Sequence, residues 1–413
     1  MVNRTRSLQS FWPQFGLALL LATTFLIPLL FGSISIVLAL LLSLAAAISF
    51  YFSGARARFT WQPTLAALLC GFMLLGVAFA INADTPNDMS FLVSFLGLAL
   101  PILLYQYLNN LPKPPSFFRI AVYCALGCLL GLLFAHAQRY GLGIGRTVAV
   151  SAGPNAVARV AAVLGFLALV GVRPDLRSLS NLVFCAAWVA SLLIIILAGS
   201  RGTLLAVPIM SLVALAVALP QLWRQSKRAT VTVLGVIVGV LLIIVYVDPN
   251  GFITRFVQTM AELAAGRLPG HSSELRYEML VGAWNGFWQS PLVGHGWAGH
   301  WEALVSNHPT PEIFAPVKQY FSYHNDVADF AVAGGILGLM AYAIIIAAPI
   351  INLAIDPKLR ANPRAVYGLV LLPAAYIVFG LTDFVFGFDL LTTLYGFSLA
   401  FLLAAAKASQ VPS

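Results

Sequence analysis

Apolar runs long enough to cross a bilayer constrain this 413-residue chain more than any other feature. They lie near residues 11–31, 34–52, 64–81, 88–108, 118–137, 155–172, 180–199, 202–219, 230–247, 326–353, 364–382 and 386–406. A helix needs about 20 residues to span the hydrocarbon core, and in lipid it must satisfy its own backbone polar groups. Only 9% of the residues are charged, against about 25% in soluble domains, too few to cover a water-facing surface. The expected fold is an all-α polytopic membrane protein with about twelve transmembrane helices. Residues 1–247 would hold the first nine, 248–325 one large loop with short amphipathic helices, and 326–413 the last three.

Charge sets the expected orientation. Arg4 and Arg6, Arg56 and Arg58, Lys113 and Arg119, and Arg173 and Arg177 alternate with the runs. So do Arg224, Lys227 and Arg228, then Lys358, Arg360 and Arg364, and finally Lys407. By the positive-inside tendency this set is cytoplasmic, as are both termini. The short loops 31–33, 82–87 and 383–385 on the other side contain no Lys or Arg. The net charge of +9 is thus topological and suits anionic membrane lipids, with no nucleic-acid partner implied. The first run is too long for a signal-peptide core and reads as a retained helix. Cys70, Cys124, Cys128 and Cys185 all sit in apolar runs, where packing explains them.

Several arginines break that rule. Arg139, Arg146, Arg201, Arg255, Arg267, Arg276 and Lys318 fall on the outer side, with Arg159 just inside the sixth run. Arg201 is caught in the four-residue turn Gly199-Ser200-Arg201-Gly202 between two apolar runs. The large loop contains Trp284, Trp288, Trp297, Trp301 and five of the six histidines. Helical periodicity predicts helices over 252–265 and 273–290, the second stopped by Pro291 and the turn Gly294-His295-Gly296. Tyr323-His324-Asn325-Asp326 leads into the tenth run, with Gly334, Gly335 and Gly338 downstream.

Arginine stays charged at any working pH, and its planar fork fits phosphate oxygens. Histidine titrates near neutrality and can take a proton from a hydroxyl. Arginines with one histidine at a membrane surface therefore suit transfer of a sugar from a lipid pyrophosphate. The arginines would stabilise the departing pyrophosphate. The outer face has scattered carboxylates but no D-x-D pair, which points away from a bound divalent cation and to catalysis without a cofactor. A rival metal site could draw on His271, His295, His300, His308 and His324, but no H-E-x-x-H occurs.

The Ser-Arg-Gly turn, the sequence Arg276…Trp284…Pro291…Gly294-x-Gly296, and His324-Asn325 followed by Gly335-x-x-Gly338 together resemble the O-antigen ligase superfamily. That family includes O-antigen ligases, O-antigen polymerases and protein O-oligosaccharyltransferases. The resemblance implies a GT-C-like membrane glycosyltransferase in the inner membrane of a Gram-negative bacterium, with its active site facing the periplasm. Its substrates would be an undecaprenyl-pyrophosphate-linked polysaccharide donor and a lipid A–core acceptor. By motif position Arg276 and His324 would be catalytic. Arg201 is a further motif position, and Arg139 and Arg146 are plausible pyrophosphate contacts. One departure stands out: where the family often has a Glu before the downstream glycines, this chain has Ala333-Gly334.

Chain length and a single compact loop favour the ligase over the polymerase. Protein-glycosylating relatives often carry an extra C-terminal region after the last helices, and this chain is expected to be without one. A lipid-linked sugar transporter or flippase is the alternative of another class. It fits less well, because the large loop follows the ninth run rather than the sixth and breaks the symmetry of transporter repeats.

Overall fold

A computed structural model describes residues 13–52, 59–173, 178–225, 252–267, 271–317 and 322–410, together with 227, 231, 235 and 239. Helices occupy eleven of the twelve expected positions. They are α1 (Pro13–Leu26), α2 (Ser33–Phe52), α3 (Pro63–Ile81), α4 (Pro86–Asn109), α5 (Phe117–Gly141), α6 (Pro154–Gly171), α7 (Leu179–Ala198), α8 (Arg201–Gln225), α12 (Asp326–Ile355), α13 (Pro363–Thr382) and α14 (Asp389–Ala408). Among the described residues, nine helices are long and apolar enough to cross a membrane, and α1 and the Ser33–Ile48 part of α2 are shorter apolar stretches. The expected run at 230–247 lies outside the described residues apart from single positions, as do Lys318 and the basic positions Arg4, Arg6, Arg56, Arg58, Arg177 and Arg228.

Local sequence explains the helix boundaries. Ser116 caps α5 through its hydroxyl, and Asn362 caps α13 with Pro363 at the first helical position, both common N-terminal devices. Gly199 ends α7 in the left-handed conformation, at φ 65, which glycine adopts without strain. Arg201 begins α8 two residues later, so the hairpin expected from the sequence forms at those residues.

α6 and α14 form the centre of the bundle, with 83% and 94% of their central windows buried. α12 packs along α3, α7 packs against both α5 and α6, and α8 runs against α13. α8 has only 22% of its window buried and so lies at the edge.

The large loop holds three helices, α9 (Phe252–Ala264), α10 (His271–Gln289) and α11 (Gly296–Ser306), of which α10 and α11 pack against α12. The first two match the periodicity. α11 is an addition, because the turn at Gly294-His295-Gly296 leads straight into another helix. Met279, Ala283, Ala303, Leu304, Phe314, Tyr323 and Val332 form a small core of their own between α10, α11 and the start of α12.

α12 departs from the expected continuous span. Gly335 lies at φ 58, ψ −143 in its middle and breaks the helix. The interruption would leave backbone groups unpaired in an apolar setting, which is costly. The segment after α10 supplies their partners. His295 N–H donates to Val332 C=O at 2.9 Å, and Ile336 N–H donates to Pro291 C=O at 2.8 Å. The approach is so close that a Cβ on Gly294 would lie 2.5 Å from Ala333 C. The Pro291…Gly294-x-Gly296 and Gly334-Gly335 motifs are thus two halves of one docking joint.

Candidate active site

Seven parts of the chain meet around one cavity of about 360 Å³. The α7–α8 turn contributes Gly199, Ser200, Arg201 and Gly202, and the segment before α6 contributes Arg146. Asn155 and Arg159 come from α6, Arg276 and Leu280 from α10, and Met260 from α9. Tyr323, His324 and Asn325 enter before α12, Leu381 and Thr382 from the end of α13, and Asp383 just after it. Four arginines therefore line a space with a single carboxylate. Four of the five residues expected from the sequence, Arg146, Arg201, Arg276 and His324, are brought together here. Arg139 is not in the lining; it sits at the end of α5 and its Nη1 donates to the Gly145 carbonyl at 2.9 Å.

The side of the cavity formed by α6 and residue 383 is a bonded network. Arg159 is 3% exposed, and its Nη2 lies 2.5 Å from Asp383 Oδ2. Its Nη1 also donates to the Phe384 carbonyl at 3.2 Å. Asn155 Nδ2 donates to Asp383 Oδ2 at 3.0 Å, and Asn155 Oδ1 accepts from Arg146 Nη2 at 3.0 Å. Arg146 Nε donates to the Ala198 carbonyl at 2.8 Å. That places a cation at the C-terminal end of α7, where the helix dipole favours it.

Asp383 accepts a short hydrogen bond on Oδ1 from His324 Nδ1. Burial would raise the Asp383 carboxyl. The Arg159 guanidinium and the His324 contact outweigh burial and hold it well below the usual carboxylate range. An ionised carboxylate can only accept, so Nδ1 carries the proton and the basic lone pair of the imidazole sits on Nε2. The Arg146 pKa is lowered too, but there the charged form is the one disfavoured, by burial and by the neighbouring Arg201 charge. Two like charges held this close favour an anion between them.

His324 is the only non-glycine residue with positive φ among the described residues, at 53. Asn325 follows as N-cap of α12, accepting from Ala328 N–H at 3.2 Å. His295, His300 and His308 have partners outside the cavity lining. His295 Nε2 pairs with the Gly286 carbonyl at 2.8 Å, and His308 Nε2 pairs with Glu278 Oε2 at 2.9 Å. His300 Nδ1 pairs with the Trp297 carbonyl at 2.5 Å.

Sequence reasoning missed Asp383 and Asn155 and gave Arg159 no role. Arg159 carried a signal, a charge inside an apolar run. Asp383 carried a weaker one, as an acid in a loop without Lys or Arg. Their pairing across 224 residues left no mark in the sequence.

The arrangement combines a strong anion-binding surface with an oriented base. Residues 186–343 match the model of a family described as O-antigen ligase. That span holds the α7–α8 turn, Arg276 and His324, whereas Arg146, Asn155, Arg159 and Asp383 lie outside it. No curated protein matches the chain.

Proposed function

We propose, from the premise that the chain belongs to the O-antigen ligase and polymerase superfamily, that it is an O-antigen ligase. In this reading it moves O-antigen polysaccharide from undecaprenyl pyrophosphate to lipid A–core oligosaccharide, at a site facing the periplasm of a Gram-negative inner membrane. The observation that carries the reading is the cavity in which Arg146, Arg159, Arg201 and Arg276 surround the His324–Asp383 pair.

The residues divide the chemistry. Arg201 and Arg276 bind the pyrophosphate, and Arg146 adds positive charge beside them. As the bond from the anomeric carbon to the phosphate oxygen breaks, negative charge grows on that oxygen, and fixed cations stabilise it. His324 Nε2 takes the proton from the acceptor hydroxyl as its oxygen bonds the anomeric carbon. Asp383 holds the imidazole tautomer and stabilises the imidazolium that forms. The only carboxylate in the lining already accepts from Arg159, Asn155 and His324. It is poorly placed to act as a nucleophile, so we infer one displacement with inversion, with arginine charge in the role a divalent cation has elsewhere.

The test is lipopolysaccharide banding in a ligase-deleted Gram-negative host that makes the matching core and donor. The chain should restore the ladder, and Arg276→Ala and His324→Ala at equal abundance should each lose about 10²-fold or more of transfer. No ladder from the wild type, with lipid-linked polymer present outside, would refute the ligase reading. In that case longer lipid-linked polymer would point to the polymerase.

A further inference from the structure

The first turn of α12 carries two carboxylates that this chemistry does not use. Asp326 and Asp329 are both 0% exposed. Burying a carboxylate is costly unless its oxygens are satisfied, and a smaller polar group could accept a backbone N–H at lower cost. What these two accept from is informative. Asp326 Oδ1 accepts from Val385 N–H at 2.8 Å, and its Oδ2 accepts from Phe386 N–H at 3.4 Å. Asp329 Oδ1 accepts from Tyr323 N–H at 2.9 Å.

Tyr323 directly precedes His324, and Val385 follows Asp383 by two residues. One helical turn therefore grips both chain segments that carry the His324–Asp383 pair, whose members are 59 residues apart. A non-glycine residue keeps a left-handed backbone, as His324 does, only where its surroundings impose it. α13 closes on the same group: a Cβ on Gly380 would lie 2.6 Å from Asp326 Oδ2.

We propose that Asp326 and Asp329 are positioning residues that hold His324 and Asp383 in register, so that the imidazole keeps its aim at the acceptor hydroxyl. The proposal rests on the reading of His324 as the base. Neither carboxylate lines the cavity, so their effect is on turnover rather than on donor binding.

The test uses the full-length protein reconstituted with lipid-linked donor and lipid A–core acceptor, with rates normalised to folded protein. Asp326→Ala should lower kcat by roughly 10- to 100-fold, the scale of a small misplacement of a reacting group, and leave the donor KM within about twofold. Asp326→Asn keeps one acceptor oxygen and should recover much of that loss. Gly380→Ala leaves Asp326 in place but crowds its carboxylate, and should lower kcat with the same unchanged KM. If Asp326→Ala fails to fold, the Asn and Gly380→Ala variants carry the test. Wild-type kcat per folded molecule in Gly380→Ala and Asp326→Asn, beside an inactive His324→Ala, would overturn the positioning role alone. An active His324→Ala would overturn the base assignment and this proposal together.

Discussion

The two sides of the cavity hold their charges differently. On the side formed by α8 and α10, Arg201 and Arg276 stand exposed at or near the starts of their helices. On the side formed by α6 and the α13–α14 connection, Arg159 and Asp383 are buried and bonded, and Arg146 is tied to the end of α7. The contrast separates two tasks. Exposed guanidinium groups can close on a ligand, at the cost of ordering long side chains. A bonded network costs nothing further to order when the ligand arrives, and its field is already in place. The family match covers the first side, and the second side lies beyond it.

The sharpest way to break this comparison is to remove the charge from the bonded side without changing its shape. Asp383→Asn should lower transfer by about 10²-fold or more, because the neutral amide no longer fixes the His324 tautomer or stabilises the imidazolium. Banding or in vitro turnover at matched abundance checks this. The same substitution carries a pH signature. The Asp383 carboxyl is held well below the usual range, so its stabilisation is fully present above the unfolded value of about pH 4. It is lost only as pH falls through the lower folded value. The melting-temperature gap between wild type and Asp383→Asn should hold constant over about pH 5 to 8 and narrow below about pH 4. A gap that narrows near neutrality would contradict the ionised pair.

Arg146→Ala should have a smaller effect, a loss of about 10-fold in transfer with about 1 kcal/mol of stability, since it frees the Ala198 and Gly199 carbonyls as well as removing a cavity charge. A loss as deep as that of Arg276→Ala would move Arg146 to the ligand-binding side. Arg139→Ala marks the lower end of the scale. Outside the lining, its loss should change transfer by less than about twofold. A large effect would mean that the donor extends beyond the cavity to the end of α5.

Much of the architecture was legible in the sequence because lipid permits so few solutions. A run such as 118–137 has to be helical wherever it sits, and Gly199 marked a helix end by local chemistry alone. The break in α12 was not legible as such. Gly334 and Gly335 were visible, but the opened backbone is stable only because Pro291, Leu292 and His295 arrive to pair with it. The histidines show the same limit. Five in one loop invited a shared role, whereas the fold sends His295, His300 and His308 to separate structural partners and His324 to the cavity.

The sequence by itself determined the solvent, the helices, the tight turn that presents Arg201, and the residue types for anion binding and proton transfer. These follow from hydropathy, periodicity and side-chain chemistry, which act locally along the chain. Only the tertiary structure decided that Arg146 belongs to the cavity while Arg139 does not, and that Asp383 is the partner of both Arg159 and His324. Such pairings join segments up to 224 residues apart, and they depend on how α6, α12 and α13 pack rather than on the residues that flank each partner.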